Sequence, residues 1–267
     1  IITGDFSMQL TGKVALVTGA GSGIGKGAAL LMAKEGAKIA AMGRTASQLN
    51  EVVEQIRAAG GEAIALIGDV SSVEQTQAVI QQTIDAWGRL DIVIANAGIN
   101  GVWSAIENIT PEEWDKTIDI NLKGTFLTIK YAIPHLKKQG GAIVVVSSVN
   151  GTRMFSNTGA SVYATSKAGQ LAMTKMLAPE FAPHKVRINC ICPGWIKTEI
   201  GDNTEIRGMK EIRWPVEYPQ GTIPLTGGKP GTIEQTSQLI LFLSSDASSH
   251  ITGTELWIDG GQSLIQG

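Results

Sequence analysis

No apolar stretch in this chain approaches the ~20 residues that would cross a bilayer as a helix. The opening residues, Ile1 to Ser7, lack the basic segment and long apolar run of a secretory signal. They read as an extension foreign to the natural chain, which is expected to start at Met8. Only two cysteines occur among 267 residues, Cys190 and Cys192. Two apart in an apolar run, they share one strand face, cannot be bridged without strain and lack zinc-ligand spacing. They read as core filling, and no metal site is expected. Charge of one sign is also missing: 22 Lys and Arg stand against 24 Asp and Glu, a net of -2. That balance leaves no electrostatic footprint for nucleic acid or an anionic membrane. Two of the three histidines, His135 and His184, read as helix-surface residues without a catalytic duty. Linkers, repeats and low-complexity segments are absent as well. A single soluble, cytoplasmic domain over residues 8–267 is the expectation.

What is present alternates. Near-continuous apolar strands are predicted at 14–17, 38–42, 63–67, 92–95, 142–147, 186–192 and close to 255–258. Between them fall helices: one after the glycine turn at Gly21, Gly23 and Gly25, then others to about Ala59, Trp87 and Lys138. Two more span roughly 161–182 and 231–244. Thr45-Ala46-Ser47-Gln48, Ser71-Ser72-Val73-Glu74 and Thr110-Pro111-Glu112-Glu113 each read as a capping box opening a helix. Seven strands alternating with helices define an α/β fold, a Rossmann-like doubly wound parallel sheet with helices on both faces. Residues 195–230, rich in Gly, Pro and charge, lack periodicity and are predicted to form a substrate lid.

In such sheets ligands bind beyond the carboxyl ends of the strands. Each end here carries usable chemistry: the glycine turn, Arg44, Asp69, Asn96, Ser148 and Pro193-Gly194. Glycines between a strand and a helix let the backbone approach a pyrophosphate at the helix N-terminus. Tyr163 and Lys167 stand at i and i+4 on a predicted helix, so phenol and ammonium share a face. A cation within ~4–6 Å favours the phenolate and lowers the phenol pKa, making Tyr163 a candidate proton donor and acceptor. An acidic residue at the end of the second strand would bind the NAD ribose; Gly43-Arg44-Thr45 offers none. Arg44 instead suits a 2′-phosphate through a forked contact, so NADP(H) is expected over a possible NAD(H). Trp103, Trp195 and Trp214 either line an apolar pocket or pack long loops.

Together, Thr18-Gly19-x-x-x-Gly23-Ile24-Gly25, Asn96-Ala97-Gly98, Asn121, Ser148, Tyr163-x-x-x-Lys167, Pro193-Gly194 and Asp259-Gly260-Gly261 resemble the short-chain dehydrogenase/reductase family. The likeness runs from about Leu10 to Gly261. It implies hydride transfer between a nicotinamide and a small carbonyl or secondary-alcohol substrate. Tyr163 would exchange the proton, Ser148 would hold the substrate oxygen, and Lys167 would lower the tyrosine pKa and bind the ribose. Asn121 would support a water-linked proton path. Gly19, Ser22, Gly23, Ile24 and Gly25 would cradle the cofactor with Asn96, Ala97 and Gly98. Asp69 and Val70 would flank the adenine, and Pro193, Gly194, Ile196 and Thr198 the nicotinamide. The distance from Ser148 to Tyr163 looks slightly long for the family, which predicts an enlarged pocket rim over 153–160. The pattern is similar to bacterial 3-oxoacyl thioester reductases and to sugar or secondary-alcohol dehydrogenases, and relatives imply a homotetramer. A catalytically silent dinucleotide-binding sensor or scaffold is the alternative.

Overall fold

The computed structural model describes residues 8–212, 214 and 216–266; Ile1 to Ser7, expected to be an extension, lie outside them. Its strands are β1 Val14–Thr18, β2 Lys38–Gly43, β3 Ala63–Ile67, β4 Ile92–Ala95, β5 Gly101–Trp103, β6 Gly141–Val146, β7 Val186–Pro193, β8 Thr204–Ile206 and β9 Glu255–Ile258. The helices are α1 Gly23–Lys34, α2 Ala46–Ala58, α3 Val73–Trp87, α4 Pro111–Ile118, α5 Gly124–Leu136, α6 Ser161–Phe181, α7 Ile233–Ser244 and α8 Gln262–Ile265.

Seven strands form one parallel sheet in the order β3-β2-β1-β4-β6-β7-β9. The order reverses between β1 and β4, where Val17 pairs with Ala41 on one side and Ile94 on the other. A crevice opens above such a reversal, because the connections leave in opposite directions. Strand alternation feeds two cores. Ala15 and Val17 pack with Ala28 and Met32 of α1, Leu49 of α2 and Ile240 of α7. Val14 and Leu16 pack with Val79 of α3, Ile129 of α5 and Phe181 of α6. Both faces are covered, which is why β1 is buried throughout and shows no polar alternation. No helix among the described residues is long and apolar enough to cross a membrane.

Local structure departs from expectation in four places. The single helix expected from Thr110 to Lys138 is three pieces, α4, a π-helical turn at Asp119–Lys123 and α5. The capping box at Thr110 and Glu113 forms, but Thr45 makes no side-chain cap, and Gln48 packs against the glycine turn beside Gly21. At the box predicted over Ser71 to Glu74 the cap is Ser72 accepting from the Gln75 N–H, one residue past the predicted partner Glu74. Gln75 itself turns its side-chain oxygen to the Asp69 N–H. Finally, β5 and β8 pair as a separate parallel ribbon, Trp103 opposite Ile206, which ties the loop after β4 to the predicted lid.

Candidate active site

The end of β1 is strapped to the end of β4. Thr18 Oγ1 accepts the N–H groups of Asn96 and Ala97 at 3.0 and 3.1 Å. Asn96 Nδ2 donates back to the Thr18 carbonyl at 2.9 Å and to the Gly19 carbonyl at 3.3 Å. Gly19 turns the chain at φ +67, and a Cβ on Gly25 would collide with its carbonyl, so α1 begins as close to β1 as backbone allows. Ser22 occupies the N-cap without capping through its side chain, and the first turn of α1 carries no acidic residue. The N–H groups and dipole there are left for an anion. Glu199 places a carboxylate oxygen 3.8 Å from where a Gly23 Cβ would stand.

This turn is one end of a cleft of about 700 Å³ along the carboxyl edge of the sheet. Gly19, Ser22, Gly23 and Ile24 line it, followed by Arg44, Asp69 and Val70 at one side and Asn96, Ala97 and Gly98 below. Ser148, Tyr163, Lys167, Pro193, Gly194, Ile196 and Thr198 line the other end. Gly25 and Asn121 lie behind the wall. Of the predicted lid, Trp195 to Asn203 contributes most of the lining, whereas Trp214 is exposed and away from the cleft. The cradle of glycines, the helix N-terminus and the length of the cleft fit a dinucleotide.

Arg44 is exposed at the mouth and makes no ion pair among the described residues. Asp69 accepts from the Ser71 N–H and hydroxyl at 2.9 and 2.6 Å. Burial raises its pKa, but those two bonds and the field of Arg44 outweigh it and hold the carboxyl below its ordinary value.

At the other end, β6 delivers two serines to opposite faces. Ser147 Oγ donates to the Lys167 carbonyl at 2.9 Å, behind the sheet edge. Ser148 faces the cleft, and its Oγ accepts the Asn150 N–H at 3.1 Å. With that lone pair taken, the hydroxyl proton is free to turn outward. Tyr163 is 7% exposed, its ring 6.4 Å from Trp103. Burial pushes its phenol up to about 12, against the pull of the Ser148 hydroxyl. Lys167 Nζ lies 5.5 Å from the Tyr163 ring centroid and donates to the Val146 carbonyl at 2.9 Å. Burial lowers its pKa to about 8, with the Cys190 and Cys192 thiols acting the other way. The expected lowering of the tyrosine pKa by Lys167 is therefore not what the protein alone displays: desolvation dominates both groups.

Asn121 sits fully buried in the π-helical turn. Its side chain accepts the Ile99 N–H at 2.9 Å and donates to the Ile99 carbonyl at 2.9 Å and to Ser166 Oγ at 3.0 Å. Its carbonyl takes the Thr125 hydroxyl and the Gln170 amide, both at 2.8 Å. It clamps the loop after β4 onto α6. Trp103 and Trp195 line the cleft, the first of the two readings offered for them, whereas Thr18, Asn150 and Asn157 were not singled out as site residues from the sequence, although Thr18 belongs to the glycine motif.

A family model described as enoyl-(acyl carrier protein) reductase matches residues 19–263. The 3-oxoacyl-(acyl-carrier-protein) reductase FabG of Thermotoga maritima is 38% identical over 255 residues, covering 95% of this chain and 99% of the relative. A 3-ketoacyl-ACP reductase structure from Sinorhizobium meliloti 1021 is 49% identical with a TM-score of 0.91, covering 94% and 99% of the two chains. A 3-ketoacyl-(acyl-carrier-protein) reductase from Brucella melitensis, solved with NADH, is 32% identical with a TM-score of 0.84, covering 95% and 99%. The chain belongs to the short-chain dehydrogenase/reductase family. It is an oxidoreductase that uses a nicotinamide dinucleotide.

Proposed function

We propose that the protein is an NADP(H)-preferring carbonyl reductase and secondary-alcohol dehydrogenase with Tyr163 as general acid and base. The observation that carries this reading is the convergence of Tyr163, Ser148 and Lys167 at one end of a cleft whose other end is an anion cradle. When bound, the nicotinamide supplies or receives the hydride. Tyr163, protonated through the physiological range, gives its proton to the carbonyl oxygen as charge develops there. Ser148 donates its outward hydroxyl proton to the same oxygen and fixes the approach. Lys167 stabilises the phenolate left behind, and Asn121 holds the loop and helix that frame the ammonium. A Cβ on Gly98 would stand 3.2 Å from Asn121 Oδ1 and 3.6 Å from Lys167 Nζ, so the two groups border one backbone position. Arg44 selects the 2′-phosphate.

The test is NADPH consumption against ketones, aldehydes, sugars and a 3-oxoacyl thioester, with Tyr163→Phe and an NADH-only run beside it. Turnover with NADPH that vanishes in Tyr163→Phe supports the reading. Equal rates in Tyr163→Phe remove Tyr163 from the chemistry, and preference for NADH removes the role of Arg44. Dinucleotide binding without turnover favours the sensor. Phe126 on α5 and Met176 on α6 are 45% and 74% exposed, which supports a homotetramer burying these helices. A monomeric mass in solution would refute it.

A further inference from the structure

The loop between β6 and α6 carries two asparagines that meet. Asn157 Nδ2 donates to Asn150 Oδ1 at 3.1 Å, and both residues line the cleft beside Ser148. Each amide has a donor end and an acceptor end. The mutual bond uses one end of each, and neither Asn150 Nδ2 nor Asn157 Oδ1 bonds to a described residue. The pair is held in place from below. The Asn150 N–H is fixed on Ser148 Oγ, and the Arg153 and Met154 N–H groups both return to the Val149 carbonyl at 3.0 and 2.9 Å. Asn150 is 7% exposed and Asn157 half-buried. Trp103, Met154 and Trp195 wall the same region with apolar surface.

The charges of the lining point the same way. Its only cations are Arg44, at the opposite mouth, and Lys167, already bound to Val146. Glu199 and Asp202 face the cleft from the lid. A carboxylate or phosphate on the substrate would find no free cation beside Ser148 and Tyr163.

We infer that Asn150 and Asn157 read a hydroxyl on the carbon beside the reacting carbonyl, so the preferred substrate is a neutral, vicinally hydroxylated ketone or aldehyde of sugar-like chemistry. This rests on the reductase reading above. With the carbonyl oxygen on Ser148 and Tyr163, the neighbouring hydroxyl donates to Asn157 Oδ1 and accepts from Asn150 Nδ2. A site built to bond a hydroxyl rejects the analogue lacking it, because its own polar groups are then left unpaired.

The experiment uses matched pairs: acetoin against butanone, and dihydroxyacetone against acetone, each with NADPH and with NADH, plus a 3-oxoacyl thioester. The hydroxylated member of each pair is expected to win in kcat/KM by about 100-fold or more. In Asn157→Leu that ratio is expected to collapse about 10- to 100-fold, the hydroxylated member losing that much more than the plain ketone. NADPH binding by fluorescence and an unchanged melting midpoint report that the variant is folded. Equal turnover of the pair members, an unchanged ratio in Asn157→Leu, or a preference for the thioester overturns this inference and leaves the reductase standing. No turnover of any carbonyl with either cofactor overturns the reductase reading, and this inference with it.

Discussion

Lys167 Nζ stands 5.5 Å from the centre of the Tyr163 ring, yet its hydrogen bond goes to the Val146 carbonyl. Burial drives the two groups apart in pKa, the phenol up to about 12 and the ammonium down to about 8. Each shift disfavours the charged form. On the proposed mechanism Tyr163, the proton donor for reduction, stays protonated at every pH up to strongly alkaline, and the group that titrates near working pH is the lysine. Carbonyl reduction is expected to hold steady through neutrality and fall as Lys167 loses its charge above about pH 8. Alcohol oxidation, which needs the Tyr163 phenolate as proton acceptor, is expected to gain only at higher pH, as that group approaches its own titration near 12. Lys167→Met is expected to lower kcat by ~10²–10⁴ and remove the inflection. A reduction profile that keeps its break near pH 8 in Lys167→Met assigns that break to another group.

The same burial predicts a pH dependence of stability. Below about pH 8 Lys167 is charged in both folded and unfolded chains, and the fold bears the whole desolvation penalty. Between 8 and the ordinary 10.5 the unfolded chain holds a proton the fold has released, so stability rises with pH. The 2.5-unit span (10.5 − 8) is worth on the order of 3 kcal/mol. Tyr163 acts oppositely and higher: from its ordinary 10.0 to about 12 the fold keeps a proton the unfolded chain loses, and stability falls. Urea midpoints from pH 7 to 10 should therefore climb in the wild type relative to Lys167→Met. Parallel curves would exclude a buried lysine cation at neutral pH.

Arg44 extends from the end of β2 into the mouth of the cleft, without an ion-pair partner among the described residues. A charge-assisted bond to a phosphate contributes roughly 1.5–3 kcal/mol, about 10- to 100-fold in binding. Arg44→Ala should raise the KM for NADPH by about that factor and leave the KM for NADH within about twofold. A uniform loss for both cofactors would place Arg44 on a part they share.

Sequence patterns were strongest where the structure depends on local spacing. Tyr163 and Lys167 share a helix face because they are four apart, and the cap at Thr110 works because Glu113 is three further on. At Ser72 only a cap forms, one residue later than predicted, because Gln75 gives its side-chain oxygen to the Asp69 N–H rather than back to Ser72. The π-helical turn left no mark because apolar residues continue through it on several faces, while its cause is tertiary: Asn121 is pulled between Ile99 and Ser166. The β5–β8 ribbon joins three-residue segments about a hundred positions apart, too short for alternation to register. Asn157 looks like ordinary loop chemistry until the fold brings it to Asn150.

Thr18 illustrates a function hidden by strand propensity, for its hydroxyl serves two N–H groups at the end of β4. It is 1% exposed, so water cannot replace it. Thr18→Val keeps the shape and orphans the Asn96 and Ala97 donors, at a cost of about 1–3 kcal/mol each at most. Because those donors position the glycine turn, NADPH affinity should fall by roughly 10-fold or more in a variant that remains folded at 25 °C. Unchanged NADPH affinity alongside a lowered melting midpoint would make the strap structural only.

Arg207 joins β8 to the loop after β4 and to α4. Its N–H bonds the Trp103 carbonyl at 3.0 Å, and its guanidinium reaches Glu113 at 2.6 Å and the Asn108 carbonyl at 3.1 Å. Trp103 in turn lies against Tyr163, so the guanidinium anchors, through Glu113 and Asn108, the ribbon that carries this aromatic wall of the cleft. The side chain is 38% exposed, and partly exposed ion pairs add little to global stability. Its effect should therefore fall on substrate geometry. Arg207→Met should raise the carbonyl KM about 3- to 10-fold while leaving NADPH binding and the melting midpoint nearly unchanged, and Arg207→Lys should restore part of the loss. Salt should mimic the substitution in the wild type and do little more in Arg207→Met, because the contact to Glu113 is screened. A large drop in melting midpoint without a change in KM would instead make Arg207 a plain structural tie.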